Sequence, residues 1–175
     1  INFLVENILT ATRIESSNMD FHFQNTNLSA LLTDLMIIFQ QSSGSHQFKV
    51  QVEKDIHIMA DKNGIHSLVL NLLENAQKYT PAGSDIEVKL FQINEDVFLQ
   101  VCDNGPGIVD IEKRKIFEKF YRIGNEETRT TKGTGLGLYI CRFIALKHKG
   151  RIVVQDNYPQ GCIFEVVIPS LNNKT

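Results

Sequence analysis

The sequence has little of what marks several large classes of protein. Its three cysteines, Cys102, Cys141 and Cys162, lie far apart and form no Cys-x-x-Cys pair, which argues against a zinc site or a disulfide framework. We expect them to be buried thiols in a reducing compartment. The formal net charge of the 175 residues is only −2, so the chain lacks the broad basic surface of a general nucleic-acid binder. No apolar run is long enough to cross a bilayer.

What is present predicts an α+β domain. Hydrophobic residues make up 42% of the chain, enough for one packed core. Apolar residues at helical spacing predict helices over residues 1–16, 28–40, 62–79 and 135–147. Alternating apolar and polar residues predict strands over residues 48–53, 56–60, 86–93, 97–103, 151–155 and 162–168, with a short extended piece at 21–23. We therefore predict a two-layer α/β sandwich rich in hairpins, with about three helices on one face of a mostly antiparallel mixed sheet.

The third predicted helix carries a polar row beside its apolar stripe. Asn71, Asn75 and Lys78 are spaced to share one face of this helix. Asparagine is mildly unfavourable inside a helix because its side chain competes with the backbone. The row is therefore either a hydrogen-bonded seam against a neighbouring element, or an oxygen ligand for Mg²⁺ with a cation beside it for phosphate.

Two glycine-containing segments follow. Asp103, directly after an apolar strand, precedes Gly105 and Gly107. This pattern fits a plain turn, or an acceptor for a purine amine with close approach of the backbone to the ligand. The segment 133–138, Gly-Thr-Gly-Leu-Gly-Leu, opens a helix whose amino terminus could favour phosphate. Its glycine spacing fits neither a dinucleotide-binding turn nor a P-loop.

The region between these segments, from Gly105 to Thr134, is predicted to be a long irregular lid. Irregular stretches of this length tend to be functional or disordered. This one carries the apolar anchors Ile116, Phe117, Phe120 and Tyr121 and the cations Lys119, Arg122, Arg129 and Lys132. A cationic flap over a polyphosphate, hinged near Gly107 and Gly133, accounts for this composition.

In this order the four segments resemble the conserved boxes of sensor histidine kinases. Residues 71–81 resemble the asparagine box, and residues 103–108 resemble the first glycine box. Residues 116–122 resemble the phenylalanine box, and residues 133–138 resemble the second glycine box. The resemblance covers about residues 28–169, and it implies the fold of the gyrase, chaperone and histidine kinase ATPase superfamily.

The resemblance implies a role for each matching residue. Asn75 would coordinate Mg²⁺, Lys78 would contact phosphate, and Tyr79 would pack by the adenine or ribose. Asp103 would accept a hydrogen bond from the adenine amine, so ATP would be preferred over GTP. Arg122 would reach the γ-phosphate and, with Asn75, would serve catalysis. The other residues implied to surround the nucleotide are Asn71, Gly105, Gly107, Ile108, Phe120, Lys132, Gly133, Thr134, Gly135, Leu136, Gly137 and Leu138.

Two features bear on the reaction. ATP-hydrolysing relatives carry a glutamate base where this chain has Asn71, and an amide cannot act as a general base. Fast hydrolysis is therefore not expected. No histidine of the chain has the context of a phosphoacceptor, so we expect the acceptor to lie upstream of Ile1. The five histidines are His22, His46, His57, His66 and His148.

The resemblance also implies an organisation and partners. Residues 1–18 would end the second helix of a histidine-bearing dimerisation domain, and residues 19–175 would form the catalytic domain. The fragment is expected to be monomeric, the full protein a homodimer acting on a response regulator from the cytoplasmic side of the bacterial inner membrane. The alternative is a nucleotide-binding regulatory scaffold without phosphotransfer. The chain departs from the family pattern at Lys149, where a glycine is usual, and at Cys162, where a hydroxyl residue is usual.

Overall fold

The computed structural model describes residues 3–17, 19–42, 46–124 and 133–171. The helices are α1 (Phe3–Glu15), α2 (Leu28–Ser42), α3 (Lys62–Tyr79) and α4 (Gly137–Lys147), with a 3₁₀ turn at Lys115–Phe117. The strands are β1 (Gln24–Asn27), β2 (Gln47–Val52), β3 (His57–Ala60), β4 (Asp85–Ile93), β5 (Asp96–Cys102), β6 (Arg151–Asp156) and β7 (Cys162–Pro169). No helix in the described part of the chain has the length and apolar character needed to span a membrane.

Five strands form the main sheet in the order β2-β4-β5-β7-β6. The β2–β4 pair is parallel and the other pairs are antiparallel, so the predicted mostly antiparallel mixed sheet is confirmed. Alternation along β4 buries Ile86, Val88 and Leu90 against the helical layer. The α+β sandwich predicted from the sequence is therefore the observed fold.

Helix α3 carries the polar row predicted from the sequence, and local interactions set both of its ends. Asp61 caps its first turn by accepting a hydrogen bond from the Gly64 N–H at 2.6 Å. Its last turn closes at Thr80, which is extended and precedes Pro81. Its apolar stripe is fully buried and leaves the polar row on a separate face. The stripe consists of Ile65, Leu68, Val69, Leu72, Leu73 and Ala76.

The strands on either side of the tight connection at Lys54 and Asp55 do not form a hairpin. Strand β2 pairs with β4, whereas β3 pairs antiparallel with β1 in a separate two-stranded sheet. Ser29 holds the crossing: its hydroxyl donates to the Glu53 carbonyl at 2.6 Å and accepts from the Ile56 N–H at 3.0 Å. Strand β1 has the polar sequence Gln-Asn-Thr-Asn and no apolar alternation, so only the extended piece just before it was predicted.

Helix α1 packs onto the rest of the molecule. Its residues Ala11 and Ile14 are buried in the same core as the sheet and α4. Glu15, at its end, forms an ion pair with Lys119 of the irregular segment. Helix α1 therefore lies against α4 and against the irregular segment that contains Lys119.

Candidate functional site

A cavity of about 580 Å³ lies between α3, the turn after β5, the irregular segment and the start of α4. Most of the residues predicted to bind a nucleotide line it. These are Asn71, Asn75, Lys78, Tyr79, Asp103, Gly107, Ile108, Arg122, Gly133, Thr134, Gly135, Gly137 and Leu138. Segments far apart in the chain thus meet around one volume of a size suited to a small-molecule ligand.

Asp103 supplies a buried carboxylate to the wall of this cavity. Its Oδ1 accepts hydrogen bonds from the N–H groups of Gly105 at 2.8 Å and Cys162 at 3.3 Å. Burial raises the pKa of this carboxyl group, and the two backbone hydrogen bonds act in the opposite direction. The backbone N–H of Asp103 in turn donates to the Cys162 carbonyl at 2.8 Å, which fixes the residue at the end of β5. The Asp103 carboxylate is therefore an oriented hydrogen-bond acceptor in the wall of the cavity.

The two asparagines of the α3 row differ in what their side chains do. Asn71 is buried, and both of its polar atoms are engaged: Nδ2 donates to the Ser67 carbonyl and Oδ1 accepts from Asn7 Nδ2, each at 2.9 Å. Asn75 lines the cavity, and its side chain has no hydrogen-bond partner among the described residues. Asn71 therefore belongs to a hydrogen-bonded seam, whereas the Asn75 amide oxygen is available to a ligand.

A cation lies beside this row. The ammonium of Lys78 sits 4.8 Å from the centre of the Tyr79 ring, and both residues line the cavity. A Cβ placed on Gly133 would lie 2.5 Å from Lys78 Nζ, so the lysine reaches the start of the glycine segment. This end of the cavity combines an amide oxygen, an ammonium and the approach to a helix amino terminus.

The glycine segment is held in place by close contacts. Gly137, the first residue of α4, approaches Asn71 so closely that a Cβ there would lie 2.7 Å from its Oδ1. Gly135 has a φ of +72° and its carbonyl accepts a hydrogen bond from the Phe120 N–H at 3.0 Å. Helix α4 begins at Gly137 rather than at Gly135 as predicted, because the left-handed backbone of Gly135 is incompatible with a helix.

Among the described residues, three of the predicted site residues do not line the cavity. Gly105 lies behind the Asp103 carboxylate and holds it by a hydrogen bond. Leu136 is buried in the core. Phe120 is 62% exposed, with its ring 4.6 Å below the Lys119 ammonium. Lys132 lies outside the described residues.

Other residues that line the cavity were not predicted. Glu74 is one turn from Asn71 along α3, and burial raises the pKa of its carboxyl group. Its helical spacing could have revealed it. Leu4 and Asn7 come from α1, and no motif in the sequence links that helix to the site.

Cys162 lines the cavity, and its backbone N–H donates a hydrogen bond to Asp103. Burial raises the pKa of its thiol to about 12, so the sulfur stays protonated near neutral pH. No group of three or more histidine, cysteine or acidic side chains in the described ranges is arranged to hold a metal ion. A cation here would depend on neutral oxygen ligands such as the Asn75 amide together with oxygens of a bound molecule.

Most of the cavity wall lies within a segment of the chain that matches a known protein family. Residues 60–172 match the family of histidine kinase-, DNA gyrase B- and HSP90-like ATPases. The chain belongs to this family. The predicted resemblance is thereby confirmed, and the matched range of this ATPase-family member covers α3, the Asp103 turn and the glycine segment.

The proteins most informative about this ATPase-family member are sensor kinases. It is 34% identical over 175 residues to the adaptive-response sensory kinase SasA of Gloeothece citriformis, covering 97% of this chain and 44% of that protein. It is 32% identical over 168 residues to the sensor protein KdpD of Clostridium acetobutylicum, covering 95% of this chain and 19% of that protein. The chain thus spans less than half the length of these relatives.

Solved structures agree with this assignment. The catalytic domain of histidine kinase ThkA superposes with a TM-score of 0.75 at 30% identity, covering 85% of this chain and 96% of that domain. The mycobacterial sensor histidine kinase MprB also gives a TM-score of 0.75, at 29% identity, covering 85% of this chain and 98% of that one. The fold is therefore that of histidine kinase catalytic domains.

Proposed function

We propose that the chain binds Mg²⁺-ATP in the cavity and donates the γ-phosphoryl group to a histidine of a dimerisation domain. The observation that carries this proposal is the convergence of Asp103, Asn75, Lys78 and Arg122 on one cavity beside the glycine segment. These groups offer an acceptor for a base amine at one wall, and an amide oxygen and cations for a polyphosphate at another.

The base end of the proposed complex rests on Asp103. Its Oδ1 is engaged by two backbone N–H groups, so the carboxylate is oriented before any ligand arrives. An adenine presents an exocyclic amine that such an acceptor can bind, whereas a guanine presents a carbonyl oxygen at that position, which would set two acceptors against each other. ATP is therefore the proposed nucleotide.

The residues at the phosphate end fit a Mg²⁺ ion together with a polyphosphate. The Asn75 amide oxygen has no competing partner among the described residues, and neutral oxygen ligands suit Mg²⁺ when phosphates supply the negative charge. The ion would neutralise charge that develops on the phosphate oxygens. Lys78 would hold the phosphates, and Arg122 would act on the γ-phosphate as the catalytic cation.

Transfer to a histidine is favoured over hydrolysis by the chemistry of position 71. The Asn71 amide has no proton-accepting nitrogen, and both of its polar atoms are hydrogen bonded. It cannot activate a water molecule as a carboxylate would. We propose that the acceptor histidine belongs to an upstream dimerisation domain, that the partner downstream is a response regulator, and that the parent protein acts on the cytoplasmic side of a bacterial inner membrane.

The test begins with calorimetric titration of the chain with a non-hydrolysable ATP analogue, with and without Mg²⁺. We expect saturable binding that Asp103→Asn abolishes and that a matched change far from the cavity, Asp55→Asn, leaves intact. Absence of binding by the folded, unaltered chain would overturn the proposal.

The second step supplies a separate dimerisation domain that carries its histidine, with radiolabelled ATP. Labelling of that histidine, lost in Arg122→Ala, supports the kinase. Tight binding without any labelling would favour the alternative, a regulatory nucleotide-binding scaffold.

A further inference from the structure

Helix α1 contributes directly to the wall of the cavity, although it lies outside the segment that matches the ATPase family. Leu4 and Asn7 line the cavity, while Ala11 and Ile14 on later turns are buried in the core. The ion pair between Glu15 and Lys119 fastens the far end of the helix to the irregular segment. The helix is thus docked along its length.

Asn7 is more deeply buried than the other polar residues of α1. It is only 5% exposed, and its Nδ2 donates a hydrogen bond of 2.9 Å to Asn71 Oδ1. A buried polar side chain in contact with another element has a defined partner because leaving it unpaired is costly. The partner here is the first member of the polar row on α3.

Two hydrogen bonds fix the direction in which the Asn71 amide points. Its Nδ2 donates to the Ser67 carbonyl, and its Oδ1 accepts from Asn7 Nδ2. The same oxygen lies where Gly137 begins α4, at 2.7 Å from the position of a Cβ on that glycine. One hydrogen bond therefore connects α1 to the amide against which the first residue of α4 lies.

We propose that Asn7 is a positioning residue for the phosphate end of the nucleotide site, acting through Asn71. Its assignment rests on the proposed nucleotide binding. The contacts that hold the base end involve Asp103, Gly105 and Cys162, and α1 takes no part in them. Asn7 therefore affects the recognition of phosphates and leaves the recognition of the base unchanged.

The test compares two ligands, a non-hydrolysable ATP analogue with Mg²⁺ and adenosine, on the chain and its variants. Asn7→Asp keeps the shape of the side chain but cannot donate to Asn71, and Asn7→Leu removes the polar group. We expect both to weaken the binding of the ATP analogue about tenfold, the effect of one buried hydrogen bond, and to leave the affinity for adenosine within about twofold. Glu6→Gln, on the exposed side of the same turn, is the control and should alter neither.

A double-mutant cycle tests the route through Asn71. In an Asn71→Leu background, Asn7→Leu should cause no further loss of affinity for the ATP analogue, because the partner is already absent. By reciprocity, the ATP analogue should also slow amide hydrogen exchange in α1 of the unaltered chain.

Three results would overturn the assignment. Unchanged affinity of both Asn7 variants for the ATP analogue would do so, as would an equal loss for adenosine, which indicates a role in stability alone. If the losses of affinity caused by Asn7→Leu and Asn71→Leu simply added in the double-mutant cycle, Asn7 would not act through Asn71. Failure of the proposed function is recognised separately, since the unaltered chain would then bind neither ligand.

Discussion

Comparing Gly135→Ala with Gly83→Ala separates the cost of a left-handed backbone from the cost of a steric overlap. Gly135 has a φ of +72°, and an alanine Cβ there would lie 2.7 Å from the Phe120 carbonyl carbon and 2.8 Å from the Tyr121 carbonyl oxygen. Gly83 has a similar φ of +82°, but a Cβ there would meet nothing within 4 Å. Alanine at either position would therefore carry the cost of a left-handed backbone, but only alanine at position 135 would also overlap with neighbouring atoms.

The expected magnitudes follow from these contacts. Gly83→Ala should lower the free energy of unfolding by about 1 kcal/mol, the cost of a left-handed backbone for an ordinary residue. Gly135→Ala should lower it by about 2–4 kcal/mol, since overlap with backbone atoms adds roughly 1–3 kcal/mol. For a domain of this size each kcal/mol lowers the melting temperature by roughly 2–4 °C.

Urea unfolding at equilibrium and thermal melting, followed by circular dichroism, give these differences directly. Titration with an ATP analogue adds a second measure, because Gly135 lines the cavity and Gly83 does not. Only Gly135→Ala should weaken binding. Equal destabilisation by the two substitutions, with unchanged binding, would refute the steric reasoning.

Two further predictions concern buried groups. Burial lowers the pKa of His148, whose Nε2 accepts from the Asp61 N–H at 3.1 Å while Nδ1 donates to the Ile144 carbonyl. Because burial favours the neutral imidazole in the folded state, the stability that His148 contributes should be fully present above the unfolded pKa of about 6.5 and should decrease as the pH falls below that value. The free energy of unfolding, measured with urea at pH 8 and at pH 5.5, should therefore differ less between the two pH values in His148→Gln than in the unaltered chain. Cys162→Thr should tighten binding of an ATP analogue a few-fold, since the thiol interacts electrostatically with the Asp103 carboxylate and a hydroxyl is a better hydrogen-bond partner than a thiol; weaker binding by calorimetry would contradict this.

How far the sequence predicts this fold depends on how local the determining chemistry is. The bounds of α3 were predicted as observed because Asp61 caps one end and Pro81 terminates the other. The partner of β2 was not predicted, because alternation shows that a strand has two faces but does not identify the strand beside it. Ser29 bonds to both sides of the connection between β2 and β3, and such a contact between distant parts of the chain leaves no local pattern in the sequence.

The same distinction applies to the site. Asn75, Lys78 and Asp103 lie in motifs whose spacing already indicated a ligand, and they line one cavity. Asn7 could not be found in this way, since its role depends on how α1 docks against α3. Phe120 was expected near the nucleotide from its motif, yet its left-handed backbone turns the side chain toward Lys119.

The parallel pairing of β2 with β4 has a consequence for how the protein is made. During synthesis β2 emerges before α3, and its hydrogen-bonding neighbour emerges only after that helix is complete. Antiparallel neighbours such as β4 and β5 follow one another directly in the chain and can form their hydrogen bonds as soon as both have been synthesised. A nascent chain that stops short of Asp85 therefore carries β2 without the strand with which it pairs, and β2 can join the sheet only after β4 has been made.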